Sequence, residues 1–113
     1  VMYAKGEGGE RSAKTARNLC SAGCEKGDAA GCLNLGVLLE EGEEQDYVKA
    51  RSLYGRACEA GLGQGCNNLA ILLRDGHGGD SDGDQATELL KRACQLGYKG
   101  SCNALPAIEP ANP

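Results

Sequence analysis

The sequence predicts an all-α solenoid of helical hairpins, each hairpin closed by its own disulfide. Three observations carry that prediction. Cysteines fall in pairs, Cys24 with Cys32, Cys58 with Cys66 and Cys94 with Cys102, with seven residues inside each pair. The pairs recur after 34 and then 36 residues. Between them, apolar residues recur at helical rather than alternating spacing. A fixed inner spacing on a fixed outer period means one structural unit repeated in tandem.

Helix A of the unit is read from Gly31-Cys32-Leu33-Asn34-Leu35-Gly36-Val37-Leu38-Leu39-Glu40-Glu41-Gly42 and from Gly65-Cys66-Asn67-Asn68-Leu69-Ala70-Ile71-Leu72-Leu73-Arg74-Asp75-Gly76. Apolar side chains at 32, 35, 38 and 39, and at 66, 69, 72 and 73, form one stripe. Gly42 and Gly76 stand where a glycine ends a helix. Helix B follows an acidic, glycine-bearing loop. Its stripe is Ala50, Leu53, Tyr54, Ala57 and Cys58, matched by Ala86, Leu89, Leu90, Ala93 and Cys94, with Gly61 and Gly97 closing it. The growth of the period from 34 to 36 fits inside the A–B loop, where insertions cost little.

The staple joins the last turn of helix B to the first turn of the next helix A. Along one continuous helix, residues eight apart lie about 12 Å from each other, so bridging demands a turn between them. Closing each nine-residue loop contributes roughly 2.5 kcal/mol in the chain-entropy treatment. That matters here, because Trp and Phe are absent and only four Tyr occur. The core is expected to consist of Leu, Ala, Val, Ile and cystine sulfur, and small side chains bury little area each.

The unit divides residues 1–105 into a partial repeat (1–27), full repeats (28–61 and 62–97) and a partial repeat (98–105). Val1–Gly6 aligns with Val37–Gly42, so the chain opens partway along a helix A, as a piece of a longer protein would. Pro106 and Pro110 stop the last helix, and the tail 106–113 is expected to be disordered.

Gly31-Cys32-x-Asn34-Leu35-Gly36, Lys49-Ala50 and Tyr54-x-x-Ala57-Cys58-x-x-Gly61 resemble the Sel-one-like repeat, and the paired cysteines resemble its disulfide-bearing Helicobacter cysteine-rich branch. The resemblance spans residues 1–105. It implies a right-handed superhelix related to tetratricopeptide repeats, with a concave face that binds peptides or proteins. Some secreted members are described as penicillin-binding or as weak β-lactamases, and a branch with similar cysteines lies in the mitochondrial intermembrane space. This sequence departs from the pattern at Ser101, which replaces the glycine before Cys102, and at Ala70 and Ala104.

Seven cysteines in 113 residues point to an oxidising compartment, periplasmic or secreted, with the intermembrane space as the alternative. Net charge is −4 without a Lys/Arg cluster, which argues against nucleic acid or an anionic membrane as partner. No apolar run approaches the ~20 residues that span a bilayer. No catalytic residue, cofactor or metal is expected. His77 is a lone loop histidine with no nucleophile in register beside it, and Ser-x-x-Lys is missing. Asp80-Ser81-Asp82-Gly83-Asp84 opens like a calcium loop, but Gln85 stands at the turn-glycine position and Lys91 at the bidentate-glutamate position. The cysteines form no C-x-x-C doublet of a zinc site. Cys20 is the odd thiol. In register it replaces Tyr54 and Leu90, so it serves either as core filler or as a partner for another cysteine.

One face remains for binding. With 32, 35 and 39 turned toward helix B, residues Asn34, Val37 and Glu41 share another face, as do Asn68, Ile71 and Asp75. The two asparagines either grip an extended peptide main chain or tie neighbouring helices together. The reading at this point is a monomeric, non-enzymatic module of a larger adaptor, holding a protein or peptide on its concave face. A β-lactam or peptidoglycan binder or weak hydrolase, and a mitochondrial assembly factor, are the alternatives.

Overall fold

The computed structural model describes the backbone of residues 9–41 and 45–104, with side chains from Lys14 onward. The expected helix fragment at 1–6, the closing Gly42, and the tail from Leu105 with Pro106 and Pro110 lie outside the described residues. Among the described residues six helices follow in order: α1 (Gly9–Glu25), α2 (Ala29–Glu41), α3 (Tyr47–Glu59), α4 (Gly63–Asp75), α5 (Gly83–Gln95) and α6 (Lys99–Ala104). Each packs chiefly against its sequence neighbours, as hairpins stacked in a line require. α2, α4 and α6 are the A helices; α1, α3 and α5 are the B helices.

The B-to-A junction is built identically three times. The amide of Asp28 donates to the Gly23 carbonyl at 2.9 Å, that of Leu62 to Ala57 at 3.0 Å, and that of Tyr98 to Ala93 at 3.0 Å. Each closes a Schellman turn around a left-handed glycine, with φ of 96° at Gly27, 99° at Gly61 and 98° at Gly97. The turn throws the next helix back against the one just ended, at backbone distance. A Cβ on Gly31 would lie 2.9 Å from the Cys24 nitrogen, and one on Gly65 would lie 2.8 Å from the Ala57 Cβ. That close approach accompanies cysteine Cα separations of 4.5 and 4.6 Å. The third junction, with Ser101 in place of the glycine, holds 4.7 Å, and the bridges 24–32, 58–66 and 94–102 form as the spacing predicts.

The A-to-B loops repeat as well. The amide of Asp46 donates to the Leu39 carbonyl at 3.0 Å, and that of Asp82 to Leu73 at 2.9 Å. The same two aspartates cap the helices that follow, accepting from the amides of Lys49 and Gln85, each at 3.0 Å. Asp28 does likewise for α2, accepting from Ala30 at 3.0 Å. Asp82, read in sequence as part of an acidic solvated loop, is thus a helix cap.

The interior is a chain of local clusters. One runs from Cys24, Cys32, Leu33 and Leu35 through Ala50, Leu53, Tyr54 and Ala57 to Leu72, bridging successive hairpins. Ala70, Leu73, Ala86 and Leu90 form a second, and Cys58, Cys66 and Ala93 a third. Leu, Ala and cystine sulfur dominate, as expected. The exception is Tyr54, the largest fully buried side chain, whereas Val37 and Ile71 are only half-buried. Tyr54 fits because its register neighbour on α2 is Gly36, which leaves room for a ring.

Candidate interaction face

The six residues singled out for binding lie on the A helices of two successive hairpins, Asn34, Val37 and Glu41 on α2 and Asn68, Ile71 and Asp75 on α4. Asn34, Glu41 and Asp75 are exposed. Val37 is half-buried against the cluster around Tyr54, and Ile71 is half-buried. Asp75 accepts from Arg74 Nε at 3.1 Å, an exposed pair between adjacent residues that contributes little.

The two asparagines are not equivalent. Asn68 is half-buried and its side chain bonds the Tyr54 hydroxyl, which in turn donates to Glu40 Oε2. Three successive helices are thereby joined through one phenol: Glu40 on α2, Tyr54 on α3 and Asn68 on α4. Burial, reinforced by the hydrogen bond and charge of Glu40, holds the Tyr54 hydroxyl well above its ordinary value of 10.0, so it stays protonated and donating. Asn34 has no such partner, because the residue in the register of Tyr54 one repeat earlier is Cys20. That thiol is half-buried, packs against the same cluster and forms no disulfide. It packs there as a small apolar side chain does.

A second polar stitch joins A helices directly. Ser101 on α6 is fully buried, and its hydroxyl donates to Asn67 Oδ1 on α4 at 2.7 Å. Asn67 stands where α2 has Leu33, and Ser101 where the earlier A helices have Gly31 and Gly65. Ser101 holds the register of Gly65, two residues before Asn67, so the bond joins offset levels of successive A helices.

A third inter-repeat contact holds the loop that carries His77. Arg51 on α3 donates from Nε to the His77 carbonyl at 2.8 Å and from Nη2 to the Asp80 carbonyl at 2.9 Å. The imidazole stacks on Tyr47 with ring centroids 4.6 Å apart and planes at 23°. His77 is exposed, as a loop histidine is expected to be, but it is a packing residue as well. No sequence pattern marked Arg51, since its partners are carbonyl oxygens, which every residue carries.

Among the described residues no group of three or more His, Cys, Asp or Glu is placed to hold a metal ion, and no helix is long and apolar enough to cross a membrane. Asn34, Glu41 and Asp75 present an amide and two carboxylates to solvent, groups suited to hydrogen bonding and ion pairing.

Comparison with known proteins agrees with this geometry. The Sel1 repeat family model matches residues 1–28, 29–62 and 63–98. Cysteine rich protein B of Helicobacter pylori superposes with a TM-score of 0.76 at 30% identity, over 81% of this chain and 71% of that one. A protective antigen present in uropathogenic Escherichia coli strains, displaying an SLR fold, superposes with a TM-score of 0.74 at 28% identity. That match covers 81% of this chain but only 20% of the E. coli protein. Nothing among curated proteins matches. Folds of this kind are typically protein–protein interaction modules and generally not catalytic. The disulfides and the Helicobacter neighbour together suggest an oxidising setting. Three consecutive repeat matches, with one disulfide at each hairpin junction, assign this chain to the Sel1 repeat family.

Proposed function

We propose that this chain is a monomeric, non-enzymatic interaction module that holds a protein or peptide against the concave, A-helix face, within a larger periplasmic or secreted adaptor. The observation that carries the reading is Asn34: an exposed amide, without a partner among the described residues, on a helix whose neighbouring face positions are half-buried aliphatic and exposed carboxylate. A free amide can both donate to and accept from an extended main chain. Val37 and Ile71 offer apolar contact beside it, and Glu41 and Asp75 favour a partner with Lys or Arg near the rim. Repetition of the face on α2 and α4 suits a ligand several residues long. Membership in an interaction-module family supports the same reading.

The test is an arrayed peptide library screened against the whole chain, followed by affinity measurements on single variants. Asn34→Ala is expected to weaken the best binders by about 1–3 kcal/mol without moving the melt. Reversing charge with Glu41→Lys should weaken basic peptides selectively and reduce the salt dependence of their binding. Binders indifferent to substitutions at Asn34, Glu41, Ile71 and Asp75 would place the ligand elsewhere. Turnover of a chromogenic β-lactam by the purified chain would replace the reading with the hydrolase alternative.

A further inference from the structure

The three staples, equivalent in sequence, are not equivalent in exposure. Cys24 and Cys32 are 1% and 3% exposed, and Cys58 and Cys66 are 2% and 0%. Both sulfurs of the third bridge belong to half-buried residues, Cys94 and Cys102. Thiol–disulfide exchange needs an attacking thiolate in line with a sulfur, so access decides which bridge a reductant reaches. The third bridge also anchors α6, described over Lys99–Ala104. Beyond the bridge it is held by the Ser101 bond to Asn67 and by Ala104 against the cluster of Ala70, Leu73, Ala86 and Leu90.

We propose that Cys94–Cys102 is the thiol-exchange site of this chain, opened by a dithiol reductant while the other two bridges stay closed, and that opening it releases α6 from α5. In the first step one thiolate of the reductant bonds one sulfur of the bridge, and the other sulfur leaves as a thiolate and takes up a proton. The reductant's second thiolate then attacks its own sulfur in the mixed disulfide, and the remaining protein sulfur leaves as a thiolate and takes up a proton. The bridge gains two electrons and two protons, and the dithiol ends as a disulfide. Released, α6 takes Ala104 off the cluster of Ala70, Leu73, Ala86 and Leu90.

The experiment is graded reduction of the intact chain with dithiothreitol, quenched by alkylation and read by peptide mass spectrometry. Cys94 and Cys102 should be labelled at least about tenfold faster than the other four bridged cysteines, as access-controlled exchange requires. Hydrogen exchange on that partly reduced species should show protection lost at 99–104 and kept at 29–75. Simultaneous opening of all three bridges would overturn the proposal, and so would unchanged protection at 99–104 once the third bridge is open. Earlier opening of 24–32 would overturn it too. Repeating the series on Cys20→Ser tells whether attack by that neighbouring thiol is the cause.

Discussion

Gly36 and Tyr54 offer a test of how closely these repeats are packed. A Cβ at position 36 would lie 2.6 Å from Tyr54 Cε1, 2.9 Å from Cδ1 and 3.2 Å from Cζ. The ring cannot step aside cheaply, because Tyr54 is fully buried and its hydroxyl is fixed by Glu40 and Asn68. Gly36→Ala therefore sets two effects against each other. The alanine gains about 0.8–1 kcal/mol of helix propensity. Forcing a methyl into a filled site costs about 1–3 kcal/mol. With contact this short the steric cost wins, and a net loss of about 1–2 kcal/mol is expected, which lowers the melting temperature by roughly 4–12 °C. The next repeat supplies the control, since Ala70 and Leu90 occupy the same two positions and are both buried. In a Tyr54→Leu background, Gly36→Ala should be neutral or stabilising by up to about 1 kcal/mol. Denaturant unfolding followed by circular dichroism on the four proteins of this cycle gives the coupling. If Gly36→Ala is as stable as the parent, or equally damaging in both backgrounds, the clash is not what glycine avoids there.

Other outcomes follow from the stitches between repeats. Asn68→Ala should lower stability by about 1 kcal/mol, whereas Asn34→Ala stays within about 0.5, and thermal melts of the two variants separate stitch from free amide. Arg51→Ala should cost about 1–2 kcal/mol and speed amide exchange over residues 77–82, and Arg51→Lys should rescue it poorly because one ammonium cannot span both carbonyls. Asp82→Ala should cost about 1 kcal/mol through its lost cap, seen as a shifted urea midpoint. Tyr54 gives a pH dependence. Its folded value is raised, so its contribution is complete below the unfolded value of 10.0 and declines as pH rises through and beyond it. An alkaline absorbance titration should show this phenol ionising only together with loss of helical signal, and ionisation in a folded chain would contradict the buried network.

Local rules made most of the architecture legible. A glycine that must be left-handed, a cysteine on either side of it and an apolar stripe at helical spacing are properties of a few neighbouring residues, so Gly61 with Cys58 and Cys66 announced its hairpin in the sequence alone. The six candidate positions were nameable from helical spacing, as candidates. Their roles were not, since a role depends on what another repeat places opposite. Asn34 and Asn68 hold the same register and look interchangeable, yet only one of them meets a phenol, because position 54 carries Tyr where position 20 carries Cys. Ser101 looked like a fault in the repeat until Asn67 stood one turn of the stack away to receive its hydroxyl. The same holds for the staples: spacing pairs the cysteines, but how much of each sulfur water can reach depends on the helices stacked over it. Sequence determines what a segment can do by itself, through backbone preference and covalent reach. Tertiary structure decides which of several like groups is free, because burial and hydrogen-bond partners are properties of pairs.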